Sequence, residues 1–218
     1  MFRKRIAPQP ESNERDTARL EAFSDGVFAI AITLLILEID IPEFEEGHSL
    51  WRSLFDLWPS YFGYAVSFLV IGIMWVNHHN LFRIVRRVDH WVLVFNLLLL
   101  FCVAFIPFPT AVLAAHIDQP DEATAVVFYA ATFVVTAIAF NLLWRYPTRR
   151  APWLMEPDAD PGVIASITRR YAFGPLIYLA AAIIGWIFPT AGLIALALIA
   201  LLYLIPADFG APASLDAG

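Results

Sequence analysis

The chain has 218 residues, of which 60% are hydrophobic and only 16% are charged, and its formal net charge is −6. A soluble domain carries about 25% charged residues, so this composition argues against a water-soluble globular protein. The negative net charge and the scattered basic residues also argue against a nucleic-acid-binding protein.

Six long apolar segments follow one another along the chain. A bilayer hydrocarbon core about 30 Å thick is crossed by about 20 helical residues, because each adds about 1.5 Å. The segments cover residues 20–39, 57–81, 91–115, 123–144, 171–188 and 190–205. They predict an all-α integral membrane protein with six transmembrane helices over residues 19–206, flanked by tails at residues 1–18 and 207–218. The first residues are polar and lack a signal-peptide core, so we expect the first segment to remain as a span.

The basic residues alternate between the connections. Of the 14 Lys and Arg residues, 13 precede the first segment or follow the second and fourth, and only Arg52 lies on the opposite side. The positive-inside rule therefore predicts that both termini are cytoplasmic in a multi-pass cell-membrane protein. The preference for Arg over Lys and the abundance of Ala indicate a bacterial source.

The first segment has two distinct faces. On a helical wheel with Ile30 at 0°, Leu34 falls near about 40° and Leu37 near about −20°. Thr33 borders this aliphatic stripe, and Asp25 points about 140° away from Ile30. Such a stripe by itself is compatible with lipid contact or helix packing. The polar flank of Arg19, Ser24 and Asp25 is atypical of a lipid-facing helix, because an intramembrane carboxylate is costly unless it is paired or hydrated.

The string Arg19-xxx-Phe23-Ser24-Asp25, followed by Gly-Val-Phe-Ala-Ile-Ala-Ile-Thr-Leu-Leu, resembles the signature of the transmembrane-protein-175 family of potassium channels. Bacterial members have one six-helix repeat, and animal members have two and work in endosomes and lysosomes. The resemblance implies a homotetramer, lipid bilayer as surroundings, monovalent cations with K+ as the permeant ion, and no cofactor. It also implies that the first helix lines the pore.

By the same resemblance, the constricting side chains are Ile30, Leu34 and Leu37, and the hydroxyl linked to selectivity is that of Thr33. The sequence contains no Thr-Val-Gly-Tyr-Gly filter. We therefore expect a hydrophobic gate, in which an ion sheds part of its hydration shell. Since K+ holds its water less tightly than Na+, this predicts modest selection for K+.

Acidic residues follow the first segment. Glu38 and Asp40, with Glu43, Glu45 and Glu46 beyond them, are positioned to concentrate cations at an outer mouth. The alternative is a solvated acidic loop.

The second segment ends in a polar run in which Trp75, His78, His79 and Phe82 share a helical face. Three interpretations compete: a metal site, a pH-dependent switch and a structural polar network. Adjacent histidines diverge by about 100°, which disfavours a metal site. The resemblance favours the network, which joins polar residues of the first and second segments. Its members would be Arg19, Ser24, Asp25, Trp75 and His78, with Asn77 and Asn80 as weaker members.

Two other classes of function compete with a channel. A secondary transporter would need a central substrate site, usually with broken helices and inverted repeats. A membrane metalloenzyme would have to use His78, His79, His90 and His116, which lack chelating spacing. We expect neither catalysis nor a bound metal.

Overall fold

The computed structural model describes residues 10–42 and 49–204. The part described is helical, as predicted. The helices are α1 (Pro10–Leu34), α2 (Leu50–Asp56), α3 (Trp58–Ile84), α4 (His90–Phe105), α5 (Pro107–His116), α6 (Glu122–Arg149), α7 (Pro161–Ile187) and α8 (Pro189–Leu204), with 3-10 turns at Leu35–Glu38 and Pro152–Leu154.

Five helical stretches in the described residues are long and apolar enough to cross a membrane. They cover Asp16–Glu38, Trp58–Ile84, His90–His116, Glu122–Arg149 and Pro161–Ile187. The sixth apolar helix, α8, has 16 residues and is about 24 Å long at about 1.5 Å per residue. Each predicted apolar segment thus corresponds to a helix or, for the third, to a pair of helices, which confirms the predicted fold class.

The third span differs from the single transmembrane helix predicted for residues 91–115. It consists of α4 and α5, which meet at Ile106. Pro107 has no backbone N–H to donate and its ring crowds the preceding turn, so the α-helical hydrogen-bond pattern is interrupted there. The N–H of Ile106 instead donates to the carbonyl of Val103, one residue closer than in an α-helix.

Three helices extend further than the apolar segments indicated. α1 begins at Pro10, inside the expected N-terminal tail, while α6 continues through Pro147 to Arg149 and α7 already begins at Pro161. The connection between α6 and α7 therefore covers only residues 150–160. Arginines expected on connections lie on helices instead, because a helix can continue beyond the hydrocarbon core where its side chains become polar.

The helices pack with α6 in the middle, in contact with α4, α5, α7 and α8, while α1 packs against α3 and α4. The α7–α8 hairpin is closed by Gly185 and Gly192. A Cβ added at Gly192 would collide with the backbone of Gly185. Glycines at such a crossing let two helix backbones touch, which is a common way to gain packing energy inside a membrane.

Two loops pair at one end of the bundle, which we call the arginine-rich face. The N–H groups of Arg86 and Arg87 donate to the carbonyl of Leu154, and Arg86 forms an ion pair of 2.6 Å with Glu156. The hydroxyl of Thr17 donates to the carbonyl of Arg86 over 3.0 Å. These contacts bring the N-terminal part of α1 and the loops after α3 and α6 to the same face.

Candidate functional site

The aliphatic stripe of α1 is exposed in the single chain. Ile30 is 60% exposed and Leu37 is 71% exposed, and Leu34 and Thr33 are exposed beside them. The opposite side of α1 and of the 3-10 turn after it is buried against the bundle through apolar side chains such as Phe28, Ala31 and Leu35. In the most apolar part of this span, only 28% of the residues are buried, which is the smallest fraction among the five long spans described. α1 therefore packs with one face and presents the predicted pore residues outward.

The end of α1 changes the geometry of the stripe. The α-helix stops at Leu34, and Leu35–Glu38 form a 3-10 turn. In a 3-10 helix, side chains three residues apart are eclipsed, whereas they diverge by about 60° in an α-helix. The 3-10 turn therefore places Leu37 at nearly the same angle around the helix axis as Leu34, whereas the helical wheel separates the two by about 60°.

Thr33 uses its hydroxyl hydrogen within α1. The Oγ1 donates to the carbonyls of Ala29 and Ile30 over 2.8 and 2.9 Å. A hydroxyl has one hydrogen but two acceptor lone pairs. The exposed oxygen of Thr33 is therefore left with electron pairs and no hydrogen to offer, which suits an electropositive neighbour.

A buried chain of hydrogen bonds fixes α1 to α3 and α4. Asn96 Nδ2 donates to Ser24 Oγ over 2.9 Å, and Asn96 Oδ1 lies 2.8 Å from His78 Nε2. Ser24 Oγ in turn donates to the carbonyl of Leu20 over 2.8 Å. Ser24, Asn96 and His78 are at most 1% exposed. We call these three residues the buried brace.

The direction of every hydrogen bond in the buried brace follows from its ends. The single hydroxyl hydrogen of Ser24 is donated to the carbonyl of Leu20, so the Ser24 oxygen must accept from the amide N–H of Asn96. The oxygen of Asn96 can only accept, so His78 must carry its proton on Nε2. The imidazole also packs between Phe28 and Phe82, with ring centroids 5.3 and 4.8 Å away. The brace is thus fully satisfied and holds His78 in one orientation.

Asp25 belongs to a separate contact. Trp75 Nε1 donates to Asp25 Oδ1 over 2.8 Å, and both side chains are exposed in the single chain. Asp25 and His78, which we expected to meet, thus have different partners. Among the described residues, Arg19 is exposed outside both contacts, and Asn77 lies on the side of α3 that faces α6 and α7.

Asn96 is the brace residue that the sequence analysis missed. It lies in the first third of the apolar third segment, at a position that is 0% exposed. A polar amide inside a membrane span is costly unless it is hydrogen-bonded, and that cost was a usable signal. Asn96 stands alone in its apolar segment, so no spacing pattern indicates which residues it contacts.

The acidic end of α1 opens onto a cavity of about 360 Å³. Its wall includes Glu38, Asp40, Asp56 and Ser60, next to Leu37. The two predicted mouth residues therefore lie together and are joined by Asp56, which was not predicted. Glu43, Glu45 and Glu46 lie outside the described residues. Within residues 10–42 and 49–204, no group of three or more His, Cys, Asp or Glu side chains is placed to hold a metal ion.

Comparison with known proteins identifies the family. The family model described as endosomal/lysosomal potassium channel TMEM175 matches residues 19–107. A potassium channel from Chamaesiphon minutus is 48% identical over 174 residues, which cover 79% of this chain and 84% of that protein. The human endosomal/lysosomal proton channel TMEM175 is 35% identical over 146 residues, which cover 62% of this chain and 28% of the human protein.

A solved structure agrees with these matches. The crystal structure of a lysosomal potassium-selective channel TMEM175 homolog from Chamaesiphon minutus superposes with a TM-score of 0.80 at 41% identity. It covers 88% of this chain and 97% of that chain. The resemblance stated from the first segment is confirmed, and the chain belongs to the TMEM175 family.

Proposed function

We propose that this protein is a potassium-permeable cation channel, built as a homotetramer around a central pore that α1 lines. The observation that carries the proposal is the two-sided α1, whose aliphatic stripe is exposed while its other side is fixed by the buried brace. The potassium channel from Chamaesiphon minutus, at 48% identity, supports the choice of ion. The charge pattern supports a cell-membrane protein with both termini in the cytoplasm.

Assembly into a tetramer would satisfy the exposed surface of α1. A groove of about 340 Å³ lies between α1 and α3, beside the Asp25–Trp75 pair, and the small residues Ala29 and Gly72 are part of its wall. A Cβ at Gly26 or Gly72 would meet nothing within 4 Å in the single chain. Small residues are typical of helix–helix interfaces in membranes. We infer that neighbouring subunits pack along this groove, which places the four stripes around one axis.

The stripe would select ions by dehydration. Rings of Ile30, Leu34 and Leu37 offer no ligands, so a passing cation must lose part of its water. The loss costs less for K+ than for Na+, which gives a modest preference for K+. The 3-10 turn stacks the rings of Leu34 and Leu37 and thereby lengthens the dry zone.

Thr33 would give the dry zone one polar ring. Its hydroxyl hydrogen is committed to the carbonyls of Ala29 and Ile30, so only its lone pairs are free to meet an ion. A ring of such oxygens stabilises a partly dehydrated cation and disfavours an anion. At the acidic end, Glu38 and Asp40 would raise the local cation concentration next to the ring of Leu37.

A secondary transporter is the alternative. It would require a substrate site near the membrane midplane, commonly made by interrupted helices. α1 is one continuous helix from Pro10 to Leu34, with aliphatic side chains at its centre. Flux that saturates with substrate, without unitary current steps, would favour the transporter.

Cysteine accessibility tests the pore assignment. In a Cys102→Ser background, Leu37→Cys should make the potassium current sensitive to a positively charged thiol reagent, because each modified ring adds bulk and charge to the pore. We expect a loss of about tenfold or more, since a barrier increase of 1.4 kcal/mol is tenfold in rate. Planar-bilayer currents before and after the reagent measure it.

Leu201→Cys is the matched control, because Leu201 is also an exposed leucine, 53% exposed, but lies on α8. Its current should not change. If the reagent blocks both variants equally, or blocks neither, Leu37 does not line the pore.

A further inference from the structure

A second cavity, unrelated to the α1 stripe, lies between α3, α6, α7 and α8. Its volume is about 60 Å³, and apolar side chains such as Met74 and Phe140 form much of its wall. On α3, the cavity is lined by Val70, Met74 and Asn77, whereas His78 and Trp75 of the same helix face α1. The cavity is therefore on the side of α3 away from the proposed pore.

Two of the three tyrosines that line this cavity have hydroxyls without a partner among the described residues, whereas the hydroxyl of Tyr171 donates to the carbonyl of Asn77 over 3.4 Å. Tyr178 is 7% exposed and lines the cavity, yet its hydroxyl has no hydrogen-bond partner within the described residues. The hydroxyl of Tyr203 projects against Gly174 and also has no partner in the described part of the chain. Within the described residues no fully buried side-chain polar atom lacks a partner, so both hydroxyls are open to the cavity, where they can donate to the acceptor atoms of a ligand.

Two arginines lie beside the cavity, towards the arginine-rich face. Arg170 donates from Nη2 to the carbonyl of Tyr203 over 3.3 Å, and its guanidinium lies 4.9 Å from the centre of that tyrosine ring. Arg145 donates from Nε to Asn141 Oδ1 over 3.3 Å, and Asn141 lines the cavity. Neither arginine forms an ion pair within residues 10–42 and 49–204. Both guanidiniums are thus oriented, and each keeps donors for an anion.

We propose that this crevice binds an anionic phospholipid from the leaflet on the arginine-rich face. Arg145 and Arg170 would hold the phosphate, for which the guanidinium group has matching geometry. The hydroxyls of Tyr178 and Tyr203 would donate to the acyl-ester carbonyl oxygens. The first methylenes of an acyl chain would fill the apolar part between α3 and α6. Basic pockets between transmembrane helices are known headgroup sites in general, and here the apolar cavity favours a lipid over a free phosphate ion.

Lipid retention by the purified protein tests the proposal. Native mass spectrometry would measure the bound fraction after addition of phosphatidylglycerol or phosphatidylcholine at equal concentrations. The double variant Arg145→Gln/Arg170→Gln should bind phosphatidylglycerol about tenfold or more weakly, since the loss of a direct hydrogen bond to a charged phosphate costs about tenfold or more. The double variant Arg149→Gln/Arg150→Gln is the matched control, because it removes the same charge from exposed positions at the same face. It should bind as the wild type does.

Tyr178→Phe provides an independent variant that leaves both arginines in place. It should weaken phosphatidylglycerol binding about fivefold, the effect of one lost hydrogen bond. The proposal is overturned by equal losses in the two double variants, by phosphatidylcholine binding as tightly as phosphatidylglycerol, or by displacement of the lipid by inorganic phosphate. If Arg145→Gln/Arg170→Gln does not fold, wild-type retention in Tyr178→Phe overturns it alone.

Discussion

Replacing Ile30 by Asn is expected to raise the potassium current about tenfold and to bring the K+/Na+ permeability ratio close to one. Ile30 belongs to the exposed stripe of α1, at 60% exposure in the single chain. A ring of amide groups would keep the constriction hydrated and supply ligands that the isoleucine ring lacks. A barrier lowered by about 1.4 kcal/mol corresponds to a tenfold higher rate. Because the amide serves K+ and Na+ alike, the preference based on dehydration should disappear.

Ile30→Leu is the matched control for this prediction. It conserves the volume and the apolar character of the ring, so current and selectivity should stay near those of the wild type. Single-channel recording in planar bilayers separates a larger unitary current from a larger number of channels. An unchanged unitary current in Ile30→Asn would remove Ile30 from the permeation path.

Replacing Asn96 by Ala is expected to cause the largest loss of stability among the polar residues considered. The change strands the Nε2–H of His78 and leaves Ser24 without its donor, in positions that are at most 1% exposed. Each buried group left unsatisfied costs about 1–3 kcal/mol, so the sum is about 2–4 kcal/mol when the shared relaxation is considered. The observables are the thermal midpoint and the monodisperse fraction in size-exclusion chromatography.

Asn80→Ala is the control for this second prediction, since it makes the same chemical change at a half-buried position of α3. It should shift the thermal midpoint little.

The loss of stability in Asp25→Ala should lie between those of Asn96→Ala and Asn80→Ala. Its partner Trp75 is exposed in the single chain, so the loss should appear in assembly or yield before it alters permeation. A thermal midpoint of Asn96→Ala equal to that of Asn80→Ala would contradict the role of the buried brace.

Much of the fold was predictable because hydropathy and charge act over whole segments. Each apolar segment became helical, since backbone polar groups in a bilayer must be satisfied within a helix. The C-terminal end of α6 and the N-terminal end of α7 were not predictable from hydropathy. Arg149 and the three residues before Tyr171 are polar, yet they belong to these helices. The break at Ile106 was predictable from Pro107, because a proline inside a helix removes a backbone donor and crowds the preceding turn.

The site was predictable to the extent that it depends on a single helix. The angular grouping of Ile30, Leu34 and Leu37 follows from the helical repeat, and the structure exposes all three. The 3-10 turn after Leu34 could not be predicted, since no residue in Leu35–Glu38 forbids an α-helix. The hydrogen-bond partner of His78 could not be predicted either. Its pairing with Asn96 depends on how α3 and α4 pack, and the spacing of residues in the sequence does not determine that packing.

The reversal potential of the wild-type protein in a planar bilayer tests the central claim most directly. With potassium on one side and sodium at equal concentration on the other, the sign and size of this voltage report permeation and selectivity together. We predict unitary currents that reverse at a voltage at which the compartment holding potassium is negative. The magnitude of this voltage should be smaller than that of a perfectly potassium-selective pore. A reversal potential at zero, or flux without unitary currents, would contradict a potassium-preferring pore lined by α1.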